Sequence, residues 1–235
     1  MREMTTALHP PAEASTSVDD DPPSPLPPAK GASLPAAWAL LGTVILGAVI
    51  LRFEPGQNAV DSWGFSVFPD VLHSAFLRAM SDLGLAPVTA GVSLVAAGSI
   101  WRRDRRRALA CLAGPGLAVG LAELLKILVG RTFHHALCWP SGTAAVVTAV
   151  ATAIVLVTRG RGRAAAVIIG SAVVAFEAVA LVAFRWHFLS DALGGIFLGA
   201  GCVLLVDALV HRVRRFPRRR RSSPSVPSLS FPPTA

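Results

Sequence analysis

Three short polar groups interrupt an otherwise apolar chain: Lys126-Ile-Leu-Val-Gly-Arg131, Pro140-Ser141-Gly142-Thr143 and His187-Phe-Leu-Ser-Asp191. Together they hold two cations, a helix start, and a histidine followed at i+4 by a carboxylate. Such a set can handle a phosphate group. Lysine offers a point charge and arginine a bidentate clamp for phosphoryl oxygens. The N–H groups of Ser141, Gly142 and Thr143 at a helix N-terminus form a ready anion site, and glycine permits close approach. Asp191 can accept a hydrogen bond from one imidazole nitrogen of His187, leaving the other nitrogen free as a nucleophile. Each group also has a plainer reading. Lys126 can pair with Glu123 on the same helical face or snorkel to the interface. Arg131 can be an ordinary interfacial arginine, and Ser141 a simple N-cap. His187 and Asp191 can be an interfacial histidine beside a carboxylate favoured by the helix dipole.

The elements that must position these groups are membrane helices. The chain has 235 residues, 53% of them hydrophobic, and a mean hydropathy of +0.57. That is too apolar for a soluble domain of this length. Six segments are long enough to span a bilayer, near 34–52, 85–101, 108–129, 142–158, 164–184 and 189–210, against a requirement of roughly 17–25 residues each. The expected fold class is therefore an all-α, polytopic bundle of six transmembrane helices. An interfacial helix is expected between the first two spans, over 71–83, where polar and apolar residues mix at helical spacing. Residues 1–32 carry Pro, Ser, Thr and Asp19-Asp20-Asp21 and read as a disordered tail. Residues 33–211 form the membrane domain, and 212–235 a basic, then Ser/Pro-rich tail.

Charge sets the expected orientation. Arg102 to Arg107, Arg159 to Arg163, and Arg212 to Arg221 follow the second, fourth and sixth segments. By the positive-inside rule these loops and both termini are cytoplasmic. All three polar groups then meet at the extracytoplasmic face of a cell membrane. The net charge of +8 is read as topology signal and lipid contact rather than nucleic-acid binding, because no aromatic residues interleave with the arginines. Cys111, Cys138 and Cys202 lack any metal-type spacing and read as packed thiols. His134, His135, His187 and Asp191 show no strong metal-ligand spacing either, so neither metal nor cofactor is expected.

Lys-x4-Arg, then Pro-Ser-Gly, then His-x3-Asp, in that order and on one side, resembles the type 2 phosphatidic acid phosphatase superfamily. These are membrane lipid phosphatases related in fold to the vanadium haloperoxidases. The resemblance covers roughly residues 85–210. Lys126 matches the lysine of the first motif, and Arg131 the extra arginine that often precedes that motif's Arg-Pro. Phe133 stands at the main arginine position and His134 at the proline. Pro140, Ser141 and Gly142 match the second motif, and Thr143 replaces its histidine. His187 and Asp191 match the third, while Leu181 takes its arginine position; Arg185 lies two residues before His187.

The resemblance implies that His187 attacks phosphorus to form a phosphohistidine, oriented by Asp191. It also implies that Lys126, Arg131 and the backbone at Ser141, Gly142 and Thr143 hold the phosphoryl oxygens. Threonine is too weak an acid to protonate a leaving group, and loss of a general acid costs about 10²–10⁴ in rate. The expected substrate is thus a lipid phosphate or, preferentially, a polyprenyl diphosphate, whose leaving group needs less help than that of phosphatidate. His134, His135 and Arg185 are candidate substitutes for the missing acid and cation. Two alternatives stand beside this reading: an inactive relative that binds lipid phosphate or a partner protein, and a transporter using Glu123, Lys126 and Glu177.

Overall fold

The structure, a computed structural model, describes residues 33–68, 85–102 and 104–213. Seven helices and one small hairpin are described. Helix α1 is Ser33–Phe53, α2 Ala59–Val67, α3 Leu85–Ile100, α4 Arg105–Val129, α5 Gly142–Val157, α6 Gly160–Ala183 and α7 Leu189–Val213, with strands β1 Thr132–Phe133 and β2 Ala136–Leu137 between α4 and α5. The tails expected at 1–32 and beyond 213, and the interfacial helix expected over 71–83, lie outside the described residues.

Four helices are long and apolar enough to cross a membrane: Leu34–Phe53, Arg107–Val129, Gly160–Ala183 and Leu189–Val210. The other two expected spans are shorter apolar helices, with α5 only 16 residues long. At 1.5 Å per residue α5 reaches about 24 Å, against a hydrocarbon core of roughly 30 Å. The architecture is thus a polytopic membrane helix bundle with four full-length spans and two shorter helices. Outward faces of α1 and α6 remain apolar and exposed, as at Ile45, Leu46, Ile168 and Ile169, which suits contact with lipid rather than water.

Helix α7 is the hub, packing against α1, α4, α5 and α6. Small residues allow this, as expected where backbones must approach closely in a membrane. A Cβ on Gly195 would collide with the Ser141 carbonyl oxygen, and one on Gly199 with that of Ala145. These two glycines, one helical turn apart, let α7 lie directly on the first turns of α5. Ala145, Ala149, Ala153, Leu198, Cys202 and Val203 fill the seam.

Helix α2 was not placed by the hydropathy pattern. Its start carries a capping box: Asn58 Oδ1 accepts from Asp61 N at 3.0 Å, and Asp61 Oδ2 accepts from Asn58 N at 3.2 Å. The box fixes the entry of α2 and holds Asp61 in the interior, fully buried.

Candidate functional site

Three chain reversals at one end of the bundle assemble the site. The first follows α4. Gly130 adopts φ 69°, ψ 15° and donates its N–H to Lys126 O at 2.9 Å, a left-handed cap that glycine takes without strain. The chain then forms the β1–β2 hairpin, with His134 and His135 at φ 48° and 67° in its two-residue loop. Two successive positive φ values are the signature of a tight type I′ connection. Cys138 N closes the reversal onto Arg131 O at 3.0 Å.

The second reversal leads through a cis Trp139–Pro140 bond into α5. Ser141 caps this helix, its Oγ accepting from Ala144 N at 3.4 Å. The third follows α6. Arg185 takes φ 56°, and Trp186 N and His187 N both donate to Leu181 O, at 3.0 and 3.2 Å. Asp191 Oδ2 then accepts from Phe188 N at 3.0 Å and stabilises the start of α7. Ser141 N donates to Asp191 O at 3.0 Å, so the second and third reversals are tied together.

His187 lies just before α7, not inside it. The i, i+4 relation to Asp191 nevertheless brings Nδ1 within 3.5 Å of Asp191 Oδ2. That contact is long for a hydrogen bond, and Nδ1 is buried with no other partner. Catalytic hydrogen bonds in unliganded sites are often long and tighten on binding. The imidazole is 17% exposed, with Nε2 the nitrogen that does not face the carboxylate.

Lys126 projects from the last turn of α4 and donates to Glu123 Oε1 at 2.7 Å. Both groups lie over the start of α5: a Cβ on Gly142 would stand 3.3 Å from Glu123 Oε1 and 3.6 Å from Lys126 Nζ. Thr143, next in α5, is exposed, and its Oγ1 is 3.1 Å from Ser141 Oγ. The N–H groups of Gly142 and Thr143 belong to the first turn, where no intrahelical acceptor exists. Lys126 thus lies by Gly142, and Asp191, which faces His187, is bonded to Ser141 at the same helix start.

Arg131 differs from its expected role. It is fully buried and its donors are all engaged. Nε donates to Pro55 O at 3.1 Å, Nη1 to Ser190 Oγ and Asp191 Oδ1, each at 2.7 Å, and Nη2 to Gly56 O at 3.0 Å and to Asp61 Oδ2. A guanidinium has five N–H donors, so none is left to clamp a phosphate. The cation instead pins the α1–α2 connection and α2 to the start of α7. Asp61 completes the lock by accepting from Ser190 N at 2.9 Å. Sequence reasoning missed Asp61 and Ser190. The Asn58-x-x-Asp61 capping box was the local signal that marked Asp61 as structured.

Phe133 and Leu181 are taken up by apolar packing. The Phe133 ring packs against Phe65, His134 and Phe188 at centroid distances of 6.0, 4.2 and 4.4 Å. Leu181 is 3% exposed and packs with Ala144, Ala178 and Ala192. Arg185, a candidate replacement cation, stacks on Phe65 at 4.1 Å and donates to Phe65 O at 3.2 Å. His134 and His135 are exposed at the hairpin loop. Cys138 donates its thiol to Arg131 O at 3.4 Å; burial first, then the neighbouring Asp191 carboxylate, push its pKa well above the usual thiol range. It is therefore an inert packing group.

Glu177 has an unexpected place. It sits in α6, 7% exposed, next to Ala178, which packs with Ala144 of α5 and Ala192 of α7. Glu123 and Lys126 lie over the start of α5.

No family model matches the chain, nor does any curated protein. Among solved structures, the chain is similar to the transmembrane PAP2-type phosphatidylglycerolphosphate phosphatase from Bacillus subtilis. The TM-score is 0.61 and the identity 16%, over 77% of this chain and 98% of that one. The chain thus has the fold of a PAP2-type membrane phosphatase, and its apolar helices make it a multi-pass membrane protein.

Proposed function

We propose that this protein is a membrane phosphatase that hydrolyses a phosphate or diphosphate lipid headgroup through a phosphohistidine at His187. One observation carries the reading. His187 turns Nδ1 toward Asp191 in the same cluster as Lys126 and the open first turn of α5, on a fold similar to that of a PAP2-type phosphatase.

The roles follow from the geometry. Nε2 of His187 attacks phosphorus, and Asp191 stabilises the imidazolium that develops. Lys126 and the N–H groups of Gly142 and Thr143 hold the phosphoryl oxygens, aided by the dipole of α5. The phosphate displaces Glu123 from Lys126; such a pair, with Glu123 59% exposed, is worth little. Ser141 caps the helix and Arg131 positions Asp191. Thr143 itself supplies no proton, which ranks a polyprenyl diphosphate ahead of phosphatidate. The arginine-rich loops favour both termini in the cytoplasm and the site on the extracytoplasmic side.

The test is phosphate release by the purified protein from a prenyl diphosphate and from phosphatidate, with His187→Ala as control. Release that is lost in His187→Ala and insensitive to EDTA supports the phosphatase. A second reading is favoured by the saturated donors of Arg131 and the apolar filling at Phe133 and Leu181: a relative that binds lipid phosphate without turnover. It predicts no release from either lipid, with lipid affinity retained in His187→Ala.

A further inference from the structure

Three residues separate His187 from Asp191, and α2 touches each of them. The Phe65 ring packs on the Phe188 ring at a centroid distance of 5.7 Å. Gly64 lies so close to Leu189 that a Cβ on it would stand 2.8 Å from the Leu189 Cβ. Asp61 Oδ1 accepts from Ser190 N at 2.9 Å. One short helix, its own start fixed by a capping box, thus grips the whole turn that sets His187 against Asp191.

Asp61 also reaches the Asp191 carboxylate. Its Oδ2 accepts from Arg131 Nη2, and Arg131 Nη1 donates to Asp191 Oδ1 at 2.7 Å. A guanidinium is a planar, rigid fork, so holding Nη2 sets where Nη1 stands. Asp191 Oδ2 accepts from Phe188 N at 3.0 Å and faces His187 Nδ1 at 3.5 Å. With both oxygens engaged, the carboxylate cannot turn away from His187 without breaking a buried hydrogen bond. Charge works in the same direction. Arg131 alone would cancel the negative charge of Asp191. Asp61 leaves the buried group with one carboxylate in excess, and a nearby opposite charge favours the imidazolium that develops on His187.

On the reading of this site as a phosphatase, we propose that α2 is a clamp for the nucleophile, with Asp61 as its positioning residue. Through Arg131 and Ser190, Asp61 holds Asp191 where it keeps the His187 proton on Nδ1 and leaves Nε2 free to attack phosphorus. Asp61 exchanges no proton and touches no substrate. Its contribution is the place and the charge of its neighbours.

The full-length protein in detergent micelles provides the test, with two readouts. One is phosphate release from 4-nitrophenyl phosphate and a prenyl diphosphate, expressed per folded molecule. The other is ring-nitrogen NMR of the histidines, with His187→Ala identifying the His187 signals. In the parent protein the His187 proton is expected on Nδ1. Asp61→Asn should lower kcat by about 10²-fold, the cost of misplacing a reacting group by roughly an ångström, with KM nearly unchanged. It should also move the His187 proton onto Nε2 in part of the population. Gly64→Ala keeps every charge and pushes α2 off Leu189. It should act in the same direction on both readouts, to a smaller extent, and guards against misfolding of the Asp61 variant. If the loss of kcat vanishes per folded molecule, or the His187 ring is unmoved in both variants, α2 only stabilises the fold. That result would overturn the proposal and leave the phosphatase reading intact. No release by the parent from either substrate, with the His187 ring still responding to Asp61→Asn, would overturn the phosphatase reading and leave the clamp. No release and no response would overturn both.

Discussion

Arg131 Nη1 donates to Asp191 Oδ1 at 2.7 Å with both side chains fully buried. The carboxylate that faces His187 is therefore held from its other side by a cation that never meets solvent. With Asp61 the arrangement is a buried triad of one cation and two carboxylates. Removing one partner from such a group leaves uncompensated charge in a low-dielectric interior, typically at a cost of about 3–5 kcal/mol. Arg131→Ala is expected to destabilise the protein by that order, read as a lowered midpoint of thermal unfolding in detergent. Arg131→Lys should recover only part of it, since an ammonium cannot serve acceptors in the fork geometry of a guanidinium. A phosphate-binding arginine would behave in the opposite way, raising KM with stability unchanged.

Asp61→Asn tests the same lock from α2. It keeps the volume and the capping oxygen but removes one charge from the triad. The expected outcome is a loss of stability, with a coupling of about 0.5–3 kcal/mol to Arg131 in a double-mutant cycle, the range for residues in one ion-pair network. Additive effects would contradict the contact.

Lys126 and Glu123 form a partly exposed pair, with side-chain exposures of 19% and 59%. Such pairs contribute about 0–1 kcal/mol. Lys126→Ala should leave the unfolding midpoint nearly unchanged and raise KM for the lipid phosphate. Glu123→Gln should lower KM, because it frees the ammonium for the substrate.

Thr143→His restores an imidazole at the start of α5. The position is exposed, so the larger ring meets no packing barrier. Turnover of phosphatidate is expected to rise by about tenfold or more, within the range that a positioned acid contributes, while prenyl diphosphate turnover changes little. Parallel kinetics on the two lipids would show it.

Gly199 sets the distance between α7 and α5, since a Cβ there would run into the Ala145 carbonyl. Gly199→Val is expected to cost at least the upper end of the about 1–3 kcal/mol usual for overpacking, because backbone rather than a side chain must move. Trypsin resistance and unfolding midpoint of the purified variant would report it, and a wild-type midpoint would refute the close approach.

Hydropathy located the helices well. The expected segments at 108–129 and 189–210 correspond to Arg105–Val129 and Leu189–Val213, because a run of apolar residues is a local property of the chain. The same is true of the helix starts: Ser141 caps α5 as its residue type and position suggested. Helix α2 escaped because it is only 9 residues long, too short to stand out as an apolar run. Lys126, Gly142 and Asp191 each fall at a helix end, and the ends of consecutive helices joined by short reversals lie near one another.

What the chain's order of residues determined by itself was a membrane bundle with polar groups at its helix ends, since spans, caps and chain reversals depend on neighbours in sequence. Only the tertiary structure decided which charged groups remain available. Arg131 meets carbonyls, carboxylates and a hydroxyl that lie 59 to 76 residues away in the chain, and these take its every donor. Glu177, isolated in an apolar run, is buried because α6 packs beside α5. The physical reason is common to both. The reactivity of a charge depends on the partners that surround it, and those partners arrive from other helices.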